Sequence, residues 1–243
     1  MSDIATPARP PLTVGDLRGD LRRVRKDRIV RRAVFGAAIT AIVITVLIIG
    51  SLVGEAWTFI SQVEMAALWT DGWFPRRGMY DLRTIVVGSV LVTAVAMAVA
   101  TPIGLGAAVY LAEYAPSRVR KVLKPVLEIL AGIPSVVIGV FALTFVSPDL
   151  VQRFIPGATQ FNMLAAGIGV GILTIPLIAS VSEDAMRSVP DTLREASYGM
   201  GARKITTVTR VVVPAAISGL VAAFIIAISR AIGETMVVLI AAG

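Results

Sequence analysis

Long apolar runs separated by polar connections are the main feature of this sequence. Five runs are long enough to cross the roughly 30 Å hydrocarbon core of a bilayer as helices. They cover residues 33–53, 84–112, 122–146, 163–181 and 215–243. Because hydrocarbon offers the backbone no hydrogen-bond partner, a single run of this length crosses it as a helix. The pattern predicts an all-α, polytopic transmembrane helical bundle with five spans visible.

The residues before the first run form a separate segment. Residues 1–32 are rich in Pro and Arg, so a basic tail without a packed core is predicted. The run over 33–53 is longer than the apolar part of a signal peptide, and its basic flank is too extended, which favours an uncleaved span. We therefore divide the chain into a tail over 1–32 and a transmembrane domain over 33–243.

The basic residues predict which connections lie in the cytoplasm. Nine Lys and Arg residues lie in the tail, four in 113–124 and five in 182–213, whereas 54–83 has three and 147–162 has one. Lys and Arg accumulate in cytoplasmic loops. The tail and 182–213 are therefore predicted to be cytoplasmic, and 54–83, with three Trp and one Tyr typical of the interface, to be external. The fifth span then leaves the cytoplasm, so we expect that a sixth is missing from the sequence.

The composition argues against several function classes. Hydrophobic residues make up 56% of the chain and the mean hydropathy is +0.82, above the roughly 45–50% apolar usage of soluble domains. The chain has no Cys and no His, the usual ligands and bases of metal and hydrolytic chemistry. The segment GMGARK (199–204) lacks the spacing and the final hydroxyl of a phosphate-binding loop. We expect no enzymatic activity of its own, no cofactor and no metal.

The connection 182–213 has the most informative polar sequence. Pro190 and Asp191 are helix-start signals, and two apolar stripes at helical spacing lie on either side of Gly201. The stripes consist of Leu193, Ala196 and Met200, then Ile205, Val208 and Val212. They predict a compact helix-turn-helix. Its four acidic residues nearly balance its five basic ones, which argues against nucleic-acid binding and leaves a docking site for a partner or a simple cap of the bundle.

A spaced motif within this connection indicates what the partner is. Glu195, Ala196 and Ser197 are followed by Gly201 and, after nine further residues, by VVVP (211–214). This resembles the E-A-A-x3-G-x9-I-x-L-P motif of ABC-importer permeases, with Ser for the second Ala and Val for both Ile and Leu. The resemblance implies a type I ABC importer permease (MetI-like) fold, with 182–213 as the loop that couples to the ATPase. The coupling residues would be Glu195, Ala196, Ser197, Gly201 and Pro214.

Four further segments narrow the resemblance. They are YLAEYAP (110–116), LKPVLE (123–128), GIPSVVIG (132–139) and RAIGETM (230–236). They look like the phosphate-specific importers, and the last resembles the C-type more than the A-type permease.

That resemblance implies import of inorganic phosphate across a bacterial cytoplasmic membrane. The implied partners are a second, A-type permease, two cytoplasmic ATP-binding cassette subunits that hydrolyse ATP, and an extracytoplasmic phosphate-binding protein. The alternatives are a permease for another oxyanion, molybdate or sulfate, and a non-transporting membrane scaffold.

Two charged residues lie within the last apolar run. An ionised Arg near the centre of a span costs about 2.5–3.5 kcal/mol on insertion scales, so Arg230 requires compensation. Glu234 follows four residues later, where a continuous helix would place it beside Arg230. Either the two residues line the substrate pathway, with Arg230 attracting the anion, or they form a structural ion pair between helices. Lys124 and Glu128 have the same spacing and are predicted to pair at the cytoplasmic interface.

Three prolines are candidate hinges. Pro102, Pro134 and Pro176 fall inside predicted spans, close to glycines. A proline leaves a carbonyl without its helical donor, so neighbouring groups or water must satisfy it. The alternative is an ordinary kink in a packed helix. Gly167 and Gly171, four residues apart, predict a close contact between helices.

Overall fold

The computed structural model describes residues 21–243, which divide into two compact units. The first unit runs up to Thr70 and includes Pro75–Met79, and the second comprises Asp71–Phe74 and Tyr80–Gly243. The part of the predicted basic tail that covers residues 1–20 lies outside the described residues.

The first unit consists mainly of one long helix. Helix α1 covers Leu21–Gln62, and its side chains are exposed from residue 25 onwards. The predicted span 33–53 lies within it, but the helix continues into the segment expected to be a loop. Gly54 does not end the helix, and its carbonyl accepts a hydrogen bond from the Thr58 hydroxyl at 2.9 Å. A 3₁₀ turn (Met65–Leu68) follows in this unit. Two short strands, β1 (Trp69–Phe74) and β2 (Met79–Asp81), come next in the chain, and most of their residues belong to the second unit.

The second unit is a helical bundle. Its helices are α2 (Leu82–Val109), α3 (Ser117–Ala131), α4 (Ser135–Phe141), α5 (Met163–Arg187), α6 (Asp191–Gly199), α7 (Lys204–Thr207), α8 (Val213–Ala215), α9 (Ile217–Ile232) and α10 (Met236–Ala242). Three π-helical segments extend or join them: Tyr110–Tyr114 after α2, Ala142–Gln152 after α4, and Val208–Val212 between α7 and α8.

The number of membrane-spanning helices is close to the prediction. Four helices in the described part are long and apolar enough to cross a bilayer: Arg25–Gln62, Leu82–Tyr114, Ser135–Gln152 and Met163–Arg187. A fifth is reached only if Lys204–Ala215 and Ile217–Ile232, which meet at 72°, count as one broken span.

The third span begins later than predicted. The sequence pattern placed it over 122–146, whereas the structure has a separate helix, α3, followed by a span over Ser135–Gln152. Helix α3 ends at Gly132, and Pro134 precedes the first residue of α4. The charged first half of α3 contacts charged groups of α5, so α3 is not a continuation of the span.

The last predicted span is not one continuous helix. Helix α9 ends at Ile232 with Gly233 as its C-cap, and α10 begins only at Met236. The Val237 N–H donates to the Glu234 carboxylate at 3.4 Å, which partly satisfies the start of α10. Hydropathy did not indicate this break because too few polar residues lie at it to interrupt the apolar run.

Side chains also cap the two principal helices at the end of the bundle opposite α6. Asp81 precedes α2 and accepts from the Thr84 N–H at 3.1 Å. Hydrogen bonds from the Thr84 hydroxyl and N–H hold the pKa of Asp81 below its usual range. Asn162 precedes α5 and accepts from the Ala165 N–H at 2.7 Å. Both caps satisfy helix-start donors that would otherwise lack partners.

Helix α5 is the centre of the bundle and packs against α2, α3, α4, α9 and α10. Its contact with α2 depends on small residues. A Cβ added at Gly167 would lie 2.6 Å from the Val95 Cβ, and one added at Gly171 would lie 3.0 Å from the Ala96 carbonyl oxygen. The close helix contact predicted from these two glycines is therefore present.

We expect Gly167→Ala to destabilise the bundle by roughly 1–3 kcal/mol, because the new methyl group must displace Val95 or the backbone of α2. The thermal unfolding of the purified protein in detergent measures this effect. Gly106→Ala is the matched control, since nothing lies within 4 Å of the added methyl there. Equal melting temperatures for the two variants would contradict the packing described here.

Candidate functional site

The connection after α5 folds as the predicted helix-turn-helix. Helices α6 and α7 are separated by a turn in which Gly201 has a φ of +78°. This left-handed conformation is costly for residues with a side chain and explains why glycine occupies this position of the motif. The Gly201 N–H donates to the Tyr198 carbonyl at 2.9 Å, which closes the turn.

The five predicted coupling residues do not share one environment. Glu195, Ala196 and Gly201 are exposed, and Pro214 is exposed on α8. Ser197, the residue that departs from the motif, is half-buried, and its hydroxyl lies 2.9 Å from the hydroxyl of the buried Thr207. The substitution of Ser for Ala therefore adds a hydrogen bond between α6 and α7.

Helix α6 has no buried residue. The stripe predicted from its sequence faces outward, since Leu193 is 44% exposed and Met200 is 89% exposed. The second stripe faces the bundle at Val208 and Val212, which are buried, but Ile205 is exposed. The loop therefore presents apolar side chains to its surroundings, which is typical of a docking surface.

A set of charged side chains, which we call the polar junction, lies where α2, α3, α5 and α6 meet. It consists of Glu113, Arg120, Lys124, Glu183, Arg187 and Arg194. Arg194 of α6 contacts Glu113, which follows α2, at 2.8 Å. The Arg120 Nε donates to the Leu111 carbonyl at 2.8 Å and so ties α3 to the same end of α2.

Glu183 is the fully buried member of the polar junction. Its carboxylate lies 3.2 Å from the Lys124 Nζ, 3.5 Å from the Arg187 Nη1 and 3.7 Å from the Arg120 Nε. A carboxylate in the last turn of a helix faces the negative end of the helix dipole. The three cations compensate this effect and the loss of hydration, and all three remain partly exposed.

Lys124 does not pair with Glu128 as predicted. Its ammonium group contacts Asp184 at 2.6 Å and Glu183 at 3.2 Å, both at the end of α5. The hydrogen bond to Asp184 raises the pKa of Lys124, so this lysine remains charged. The prediction from i,i+4 spacing was wrong because two carboxylates at the end of α5 lie within reach of the ammonium group.

The predicted ion pair between Arg230 and Glu234 is not formed. Gly233 ends α9 between them, so they do not lie on one continuous helix. Arg230 is exposed, whereas Glu234 is half-buried. Glu234 lines a cavity of about 330 Å³ together with Thr84 and Ser89 of α2. The two residues therefore point to different surroundings.

The hinge candidates differ in their structural setting. Pro134 lies at the break between α3 and α4. Pro102 and Pro176 lie inside α2 and α5, which continue through them, and Pro176 is buried. Only Pro134 therefore coincides with an interruption of helix.

Apolar helices around α5, a polar junction at one end and an exposed helix-turn-helix beside it define a class of protein: an integral membrane component with an exposed helical loop. The family described as "Binding-protein-dependent transport system inner membrane component" matches residues 100–243, more than half of the chain. The chain belongs to this family. Its members are transport components, and the predicted fold class and family are confirmed.

Curated relatives agree with the family assignment. "Probable ABC transporter permease protein YqgH" of Bacillus subtilis is 40% identical over 65% of this chain and 51% of its own length. "Phosphate transport system permease protein PstC" of Mesorhizobium japonicum is 32% identical over 89% of this chain and 75% of its own length. "Phosphate transport system permease protein PstA 1" of Mycobacterium tuberculosis is 30% identical over 92% and 71%. The chain thus spans between about half and three quarters of these relatives.

Sequence reasoning missed Arg194, Glu113 and Glu183 as members of one cluster. Glu113 is distant in sequence from the other two residues. In addition, each of the three has an oppositely charged residue close to it in sequence, which is a simpler candidate partner. A usable signal was present for Glu183, because it extends the predicted fourth span by two residues and is followed by Arg187 at i+4.

We expect Glu183→Gln to lower the stability of the protein by about 1–3 kcal/mol, because it leaves three neighbouring cations without their shared anion. The melting temperature in detergent is the measurement. Asp184→Asn is the control: among the described residues its exposed carboxylate pairs only with Lys124, so a loss below about 1 kcal/mol is expected. A larger effect at Asp184 than at Glu183 would refute the importance of the buried carboxylate.

Proposed function

We propose that this chain is a permease subunit of a bacterial ABC importer that translocates inorganic phosphate into the cell. The family assignment and relatives named as phosphate transport system permeases over most of the chain support this proposal. The observation that carries it in the structure is the exposed α6–α7 loop with the coupling motif, beside a bundle of apolar helices.

The proposed assembly contains a second permease, two cytoplasmic ATP-binding cassette subunits and an extracytoplasmic phosphate-binding protein. We assign this chain to the C-type position because the segment RAIGETM (230–236) resembles that subunit. The excess of Lys and Arg in 182–213 supports a cytoplasmic position for this loop and for the amino terminus. The capped starts of α2 and α5 then face the binding protein.

Helix α6 is the proposed contact with the ATPase. The exposed Leu193 of α6 and Met200 directly after it supply apolar area for a groove, while Glu195 and Ala196 are exposed. ATP-driven closure of the two ATPase subunits would pull on α6. The bundle would then change from inward-open to outward-open.

Arg230 is the proposed phosphate-attracting residue of the pathway. Its side chain is exposed near the end of α9. Two exposed hydroxyl residues are close to it in sequence, Ser229 on α9 and Thr235 just before α10. A pathway between two permeases would hydrate the guanidinium and reduce its insertion cost. Glu234 is not its counterion in this structure; we propose that Glu234 lines the path from the cavity beside α2.

We expect Arg230→Gln to reduce phosphate uptake by about 10- to 100-fold at matched membrane abundance, which corresponds to the loss of one charged hydrogen bond. Uptake of labelled phosphate is measured in cells that lack their own C-type permease. Arg118→Gln, an exposed arginine on α3, is the matched control and should transport normally.

Equal uptake by the Arg230→Gln variant and the parent would remove Arg230 from the pathway. Uptake of molybdate or sulfate in place of phosphate would contradict the proposed substrate, since a positive charge alone does not distinguish these anions. A variant that loses abundance rather than uptake per molecule would indicate a structural role for Arg230.

A further inference from the structure

We propose that Arg194 is a positioning residue that makes α6 move as one body with the adjoining ends of α2 and α5. The inference rests on the proposed function, in which α6 receives the motion of the ATPase. It adds a specific route for that motion into the membrane bundle, through one guanidinium group outside the recognised coupling motif.

Helix α6 has almost no other attachment to the bundle. None of its nine residues is buried, and only Arg194 and Ser197 are as much as half-buried. These two residues lie three positions apart and therefore on one side of the helix. Ser197 contacts Thr207 and so connects α6 to α7. Arg194 is thus the side chain that connects α6 to the long helices.

The first contact of Arg194 is with the end of α2. Its Nε and Nη2 both donate to Glu113 Oε1, at 3.1 and 2.8 Å. The side chains are 13% and 4% exposed, so water competes little for this pair. Charge-assisted hydrogen bonds of this kind are shorter and stronger than neutral ones.

The second contact of Arg194 is with the end of α5. Its Nη2 donates to the Met186 carbonyl of α5 at 2.9 Å, and its Nη1 donates at 2.6 Å to the carbonyl of Val189, which lies between α5 and α6. The Met186 carbonyl also accepts from the Val189 N–H at 3.3 Å, so the guanidinium adds a second donor at the end of the helix. Nη1 also contacts Asp191 at 3.2 Å, at the start of α6 itself.

Only arginine can make this set of contacts at once. The guanidinium presents five donors in a fixed plane. Here its three nitrogens reach the Glu113 carboxylate after α2, the Met186 carbonyl of α5 and the Val189 carbonyl just after α5. A lysine retains the charge but has one nitrogen, which cannot span the same acceptors. The fixed geometry is what lets α6 transmit a displacement rather than tilt on its own.

The test uses the complete transporter in lipid nanodiscs and in proteoliposomes. This chain has no native cysteine, so spin labels are attached at Thr192→Cys on α6 and Gly106→Cys on α2, both exposed positions, in a complex whose partner subunits lack reactive cysteines. We expect a single narrow distance distribution in the parent, both without nucleotide and with ATP bound. In Arg194→Ala the distribution should broaden, and phosphate transported per ATP hydrolysed should fall about tenfold.

Two further variants separate positioning from folding. Arg194→Lys and Glu113→Gln each retain part of the contact set, so both should give intermediate widths and intermediate transport per ATP. Arg118→Ala, which removes an exposed arginine from α3, should match the parent in both readouts.

A narrow distribution in Arg194→Ala would overturn the proposal, as would a broadened one with unchanged transport per ATP. If the parent itself fails to transport phosphate, the proposed function fails, while the label distances still test the connection between α6 and α2.

Discussion

The backbone of a membrane-spanning chain must satisfy its own hydrogen bonds, and this requirement determines where the helices of this bundle are interrupted. Helix α3 ends at Gly132 outside the spans, and the start of α5 is capped by Asn162. Within the last apolar run, the interruption after Ile232 is tolerated because the Glu234 carboxylate accepts from the start of α10. At the starts of α5 and α10, a polar side chain thus replaces a missing helical partner.

Six close ion pairs of the bundle lie at the end that carries α6. Burial of Glu183 requires several cations, and these come from α3 and α5. Arg194 and Glu113 form a neighbouring pair that reaches a third and a fourth helix. Because α6 is held by polar contacts rather than by apolar packing, its own apolar side chains remain exposed. The polar junction therefore gives the loop a defined position without using these apolar side chains.

The sequence predicted the elements that depend on local patterns. The starts of α2 and α5, the turn at Gly201 and the glycine contact of Gly167 all follow from residue type and spacing. The break in the last apolar run and the late start of the third span were missed. Hydropathy is averaged over many residues, so a short interruption hardly changes it. The pairs of Arg230 with Glu234 and of Lys124 with Glu128 were predicted from i,i+4 spacing, which fails where a helix ends or where another helix offers a better partner.

The most direct test of this account is the distance between Arg194 and Glu113 in structures of the assembled transporter, without nucleotide and with ATP trapped. The account predicts that the Arg194 Nη2 to Glu113 Oε1 distance remains close to the present 2.8 Å in both states while α6 changes position relative to the second permease. Separation of the two side chains, with α6 moving against fixed ends of α2 and α5, would contradict it.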